Sequence, residues 1–323
     1  MGVLAFFVIS GFLITKSLVY SKNLADFYAK RLSRIWPLFI VAATFVFIFL
    51  KFVPAPIVSE RTRQFYTGER TIIDLIGTIF FLEDLGFEWI DGVYWSILVE
   101  LKFYLFIGLM AAIWPASFDT RFAAAAALLG LDELSCELFL PERYLLAKRL
   151  LNGVLIAQYL PFFAVGVLLF TRRAGHLLTL NIILVLAFMG TKIASDPNFE
   201  LTGTLRFMVA LVALLAVDIV FLRERIFLFL GKYSYSLYLF HQMIGLAIIN
   251  MLAARIGFNA AVIAAFTIVL AISVVMSELF EWRWRAWTQA RLTKLFSLLT
   301  LDRLRLQSRP AAGAPAPAVA QTL

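Results

Sequence analysis

Runs of about twenty apolar residues recur from one end of this chain to the other, and that is the length a helix needs to cross the hydrocarbon of a bilayer. They fall near 2–20, 35–53, 72–85, 93–114, 153–170, 177–194, 205–222, 232–253 and 258–280. Of 323 residues, 62% are hydrophobic and only 15% charged, against about a quarter charged in a soluble domain. One aqueous core cannot hide that much apolar surface, so lipid must be part of the solvent. The short alternating segments of a transmembrane barrel do not occur. The fold class is therefore all-α, a polytopic transmembrane helix bundle with about nine spans. The least secure span is 72–85, whose ends are crowded by Asp74, Glu83 and Asp84. The Ala-rich stretch Phe122–Leu131 falls well short of a crossing and is expected within a long loop, 115–152.

Charge orients the spans. With the loop that carries Lys22, Lys30, Arg31 and Arg34 in the cytoplasm, alternation puts three other basic segments on the same side: 171–176, 223–232 and the tail after Glu281. The basic excess then lies where the positive-inside rule expects it, with a cytoplasmic C-terminus. The net charge of +8 is thus explained by topology without nucleic acid. Three regions follow: a membrane-embedded bundle over 1–281, a basic amphipathic cytoplasmic segment over 282–309, and a disordered Ala/Pro tail over 310–323. The single cysteine, Cys136, forms no intrachain disulfide. No Cys-x-x-Cys, His-Glu-x-x-His or P-loop spacing occurs, so metal chemistry and nucleotide hydrolysis have no support.

Ionisable groups inside spans cost roughly 2.5–3.5 kcal/mol on insertion scales, which makes them informative. Lys16, Glu100, Lys102, Asp218, His241 and Glu278 qualify. Glu100 stands out because Ser96, Glu100 and Tyr104 follow i, i+4, i+8 spacing and share a helix face, a polar stripe that starts near the cytoplasmic end. A structural glutamate bonded to neighbouring helices explains it equally well. Arg31 and Arg34 sit at i, i+3 at the mouth of the second span, where guanidinium forks suit phosphate; a topological anchor accounts for them more economically. His241, mid-span, is a base or a hydrogen-bonded structural histidine.

Four strings in order resemble the acyltransferase family 3 membrane proteins, which O-acylate carbohydrates of bacterial envelopes. Gly2-Val3…Phe6-Phe7-Val8-Ile9-Ser10-Gly11-Phe12-Leu13-Ile14 resembles the family's second-helix signature, and Arg31-Leu32-Ser33-Arg34 its basic segment. Trp95-Ser96…Glu100…Phe103-Tyr104 and Ser234-Tyr235-Ser236-Leu237-Tyr238-Leu239…His241 resemble two later motifs. The resemblance implies a ten-helix bundle in the bacterial inner membrane. The enzyme would move an acyl group, acetyl by default, from cytoplasmic acyl-CoA as co-substrate to a hydroxyl of a carbohydrate or glycolipid, lipopolysaccharide among them. It also implies roles: Arg31 and Arg34 toward the CoA phosphates, Ser10, Ser96 and Tyr104 in the substrate site, Glu100 and His241 in catalysis. The family's first helix, with its Arg-x10-His motif, is not in this sequence, which begins where the second helix would. On that count a nine-span, truncated and inactive form is expected. Two other classes stay open, a membrane transporter or flippase and a catalytically dead scaffold.

Overall fold

The structure, a computed structural model, describes residues 2–52, 70–139, 153–173, 175–195 and 225–299. Among them every regular element is helical. In chain order these are α1 (Gly2–Val19), α2 (Leu24–Phe52), α3 (Ile72–Ile79), α4 (Trp95–Ile113) and α5 (Phe118–Phe139), then α6 (Leu160–Phe170), α7 (His176–Ser195), α8 (Arg225–Ile256), α9 (Phe258–Met276) and α10 (Trp282–Leu298). Among the described residues four stretches are long and apolar enough to cross a membrane: Leu24–Phe52, Gly92–Ile113, Phe229–Ile256 and Phe258–Leu298. With the shorter apolar helices they make the expected all-α membrane bundle. The span expected over 205–222, with Asp218, lies outside the described residues, as do residues 300–323.

The chain divides into two units. The first comprises Met1–Tyr28, Lys102–Thr204 and Leu295–Leu323; the second comprises Ala29–Leu101 and Leu205–Lys294. The first unit is built around α6, whose residues from Leu160 to Leu168 are all buried. Pro161 opens that helix, where a missing N–H costs nothing. α1 crosses α6 at two glycines: a Cβ on Gly11 would stand 2.2 Å from the Phe163 carbonyl oxygen, and one on Gly166 2.0 Å from that of Val8. Small residues let backbones approach where lipid offers no hydrophobic drive. Phe163 then stacks on Phe103 at 4.1 Å and packs against Phe7 at 4.9 Å.

The expected loop 115–152 is wrong over its first half. α5 runs for 22 residues and packs on α6 and α7. Its small residues Ala123, Ala126 and Ala127 are buried, and Asn181 of α7 donates to the Ala123 carbonyl at 3.1 Å. The apolar run alone was too short for a span, but the helix extends beyond it at both ends. Asp119 pairs with Arg173 at 3.2 Å, and Glu133 is only 2% exposed.

The second unit corrects the 72–85 span. α3 is eight residues long, about 12 Å, and cannot cross. Thr71 caps it, accepting the Asp74 N–H at 3.2 Å while Asp74 accepts the Thr71 N–H at 2.9 Å. The chain then turns through Phe81 (φ 57°) and Gly86 (φ 94°) and doubles back. Thr78 ties the two limbs together, its hydroxyl accepting the Ile90 N–H at 3.1 Å and donating to the Glu88 carbonyl at 3.4 Å. α2 starts earlier than the apolar run implied, because Asn23 and Asp26 cap it: Asp26 N–H bonds Asn23 Oδ1 at 2.8 Å and Lys22 N–H bonds Asp26 Oδ2 at 3.0 Å. Arg31 and Arg34 are therefore helical residues of α2 and not part of a loop at its mouth.

Candidate functional site

The folded-back segment 70–94 lies against α2. Trp36 Nε1 donates to the Ile79 carbonyl at 3.2 Å, and Phe39 stacks on Phe81 at 4.6 Å, nearly parallel. Phe39 also meets Tyr94 edge-on at 4.9 Å. This support delivers the 3-10 turn Gly92–Tyr94, and the Asp91 that precedes it, to the middle of α8.

Four side chains make the contact. Asp91 is fully buried; one carboxylate oxygen accepts the Val93 N–H at 3.1 Å and the other the Met243 N–H of α8 at 3.3 Å. The Tyr94 hydroxyl, on an equally buried ring, donates to the Leu239 carbonyl at 3.3 Å. Tyr238 of α8 donates to the Val93 carbonyl at 2.7 Å, and its oxygen lies 2.5 Å from Ser96 Oγ. Ser96 Oγ is itself 3.2 Å from the Val93 carbonyl. Two hydroxyl protons thus serve three short contacts, a connected polar network of the kind that rigidifies a core when satisfied. Burial pushes the Asp91 carboxyl up to about 7, while the two backbone N–H bonds pull it back down.

His241 sits one turn beyond Tyr238 and is exposed. Its Nδ1 is 2.8 Å from the Tyr238 carbonyl. A carbonyl only accepts, so Nδ1 carries the proton, and in the neutral ring Nε2 keeps the lone pair. Glu100, half-buried one turn after Ser96 on α4, is a charged neighbour of Tyr238. The network is anchored on both flanks of α8: Tyr235 donates to the Ile35 carbonyl of α2 at 2.9 Å, and Ser236 to the Ser273 carbonyl of α9 at 2.9 Å.

A second polar level lies where α9 ends in the π turn Ser277–Glu281. Glu278 binds Lys232 and Tyr233, each at 2.6 Å. Buried Glu281 accepts from Ser277 at 2.9 Å and has Arg34 and Arg285 as charged neighbours.

The structure brings Ser96 and His241 onto one cluster with Glu100 beside it, and places Arg34 at the π-turn level. Arg31 is half-buried on the same helix. Ser10 and Tyr104 belong to the first unit, where both are buried. Tyr104 meets Phe27 edge-on at 6.3 Å. Sequence reasoning missed Asp91, Tyr94 and Tyr238. Asp91 fell just before a span, so the search for charges within spans passed over it. The available signal was a single acid in the otherwise uncharged run from Trp89 to Val99. No group of three or more metal-ligating side chains occurs among the described residues.

These features define a multi-pass helical membrane protein with a hydroxyl-rich polar cluster enclosed among its helices. Residues 1–278 match the acyltransferase domain family, and the chain belongs to it. Among curated proteins it is similar to Nodulation protein 10 of Rhizobium leguminosarum bv. viciae, at 33% identity over 122 residues. That similarity spans about a third of each, 35% of this chain and 33% of the relative. No solved structure matches the chain significantly.

Proposed function

We propose that this membrane acyltransferase takes its acyl group, acetyl by default, from acyl-CoA on the cytoplasmic side and transfers it to a hydroxyl of a carbohydrate or glycolipid. The observation that carries the reading is the His241 arrangement. An ionisable side chain within a span almost always faces the bundle interior or a water-filled cavity, and the exposure of His241 fits the second. Its Nδ1–H is held by a backbone carbonyl, which orients Nε2 as a general base for an acceptor hydroxyl. Tyr238, whose ring lies against His241, would have to exchange its Val93 bond to donate toward the thioester oxygen as charge develops there.

The two polar levels fit a donor with a charged head and a long arm. Arg34, Arg285 and Lys232 stand against two carboxylates, Glu278 and Glu281, so this level carries one excess positive charge, suited to phosphate. From Lys232, at that level, to His241 the helix rises about 14 Å. An extended pantetheine arm spans such a gap and would bring the thioester to the upper cluster. Arg31, one turn before Arg34, adds charge to the same helix.

The test is transfer of labelled acetyl from acetyl-CoA into envelope carbohydrate by membranes containing the chain. His241→Gln should lower turnover by about 10²–10⁴-fold, the usual contribution of a general base. Arg34→Ala should raise the KM for acetyl-CoA more than it lowers kcat. Full activity in H241Q would remove His241 from the chemistry.

A further inference from the structure

Between residues 239 and 243, α8 is gripped from outside at two points of one helical step. Met243 N–H and Leu239 C=O are the i and i−4 partners of a single rung of the helix ladder, and His241 is the residue midway between them. Each takes a side-chain partner from the same neighbouring turn: Asp91 accepts from Met243 N–H at 3.3 Å, and Tyr94 donates to Leu239 C=O at 3.3 Å. Both side chains are fully buried. A fully buried carboxyl group bonded to two N–H groups of different segments is costly to place unless it fixes something. Tyr238, whose own carbonyl holds the His241 ring, is bound to the same turn through Val93.

We propose that Asp91 and Tyr94 are positioning residues, which hold the turn of α8 that carries His241 and thereby set the tautomer and direction of its imidazole. Neither touches the ring. They act through the backbone of residues 239–243, where outside partners on a helix rung allow a small local opening that a plain helix resists. The catalytic consequence rests on the reading of His241 as a base; the positioning itself does not.

The chain carries two histidines, His176 and His241. Both are exposed, and they lie in different units. Diethyl pyrocarbonate modification of the purified full-length protein, read at each histidine by mass spectrometry, therefore carries its own reference. In Tyr94→Phe and in Asp91→Asn the rate at His241 relative to His176 should change several-fold, with His176 itself unmoved. The double variant should show little more than the larger single effect, because both groups act on one rung. If Asp91→Asn unfolds, the two histidines accelerate together, and Tyr94→Phe, which loses one hydroxyl, decides. An unchanged ratio in folded Tyr94→Phe overturns the proposal.

Acetyl transfer gives the second arm. Where the wild-type chain is active, Tyr94→Phe should lower kcat by about tenfold to a hundredfold at unchanged KM, as expected for a slight misplacement of a catalytic group. Where wild-type membranes show no transfer, the acyl-transfer reading fails while the histidine ratio still decides the positioning.

Discussion

At Asp91 a single carboxyl is held between burial, which favours its neutral form, and two backbone N–H groups, which favour its charge. Burial wins, and the group titrates at about 7 in place of its usual 3.8. The folded state therefore keeps a proton that the unfolded chain has already lost, over the window from about pH 4 to about pH 7. The stability this proton confers is complete below that window, declines as pH rises through it and is gone above it. Thermal unfolding of the wild type in detergent should thus show a falling contribution between about pH 4 and pH 7, on the order of a few kcal/mol, and Asp91→Asn should flatten it. A slope of equal size in the variant would assign the effect to other groups. At Tyr238 the expectation is different. Tyr238→Phe removes the hydroxyl that serves Val93 and Ser96 together, and should cost about 1–3 kcal/mol of stability by leaving buried polar atoms unpaired; a melting curve measures it.

At the scale of the helix, the Ser10-Gly11-Phe12 string has a packing explanation that needs no chemistry. Gly11 lies against the Phe163 backbone, and Gly166 answers it from α6. Backbone cannot move aside as a flexible side chain can, so Gly11→Val and Gly166→Val should each force α1 and α6 apart. A loss of about 1–3 kcal/mol or more is expected, read as lower yield of monodisperse protein and a lower melting temperature. Ser10→Ala beside them should be much milder if Ser10 only packs, and selectively inactivating if it touches substrate. The helix scale is also where reading from sequence failed twice. Residues 72–85 have the composition of a span, but Thr71 starts a helix that ends after eight residues, and Phe81 adopts a left-handed conformation that reverses the chain. Residues 118–139 look too charged for one, yet α5 forms, with Asp119 paired to Arg173 in the turn after α6 and Glu133 buried. Local composition reports neither event.

Across the whole chain, α5 falls outside the four described stretches that are apolar enough to cross, its run being interrupted by Asp119, Arg121, Asp132, Glu133 and Glu137. The positive-inside rule nonetheless requires a crossing in place of 72–85, and α5 is expected to supply it, which would leave the basic segments at 21–34, 171–176 and after Glu281 on the cytoplasmic side. What changes is α4. It would enter from the side opposite the cytoplasm, so Trp95 and Ser96 lie toward that face, reversing the orientation expected from the sequence. In a Cys136→Ser background, Ala116→Cys and Leu138→Cys should react with an impermeant maleimide from opposite sides of sealed vesicles. Labelling from the same side would return α5 to one face of the membrane.

Solvent, class and family are all legible along the chain. Apolar runs of membrane length, scarce charge and four ordered motifs are all local in the chain, and each is legible one segment at a time. So are Ser96, Glu100 and His241, since a polar group in an apolar run is conspicuous wherever it lies. Which of these meet, and which residues outside the motifs hold them, depends on how the chain folds back on itself. Asp91 and Met243 are 152 positions apart, and Ser96 and Tyr238 are 142 apart. No periodicity or composition encodes such a pairing, because the hydrogen bonds exist only once the chain has doubled back at Phe81 and laid its 3-10 turn against α8.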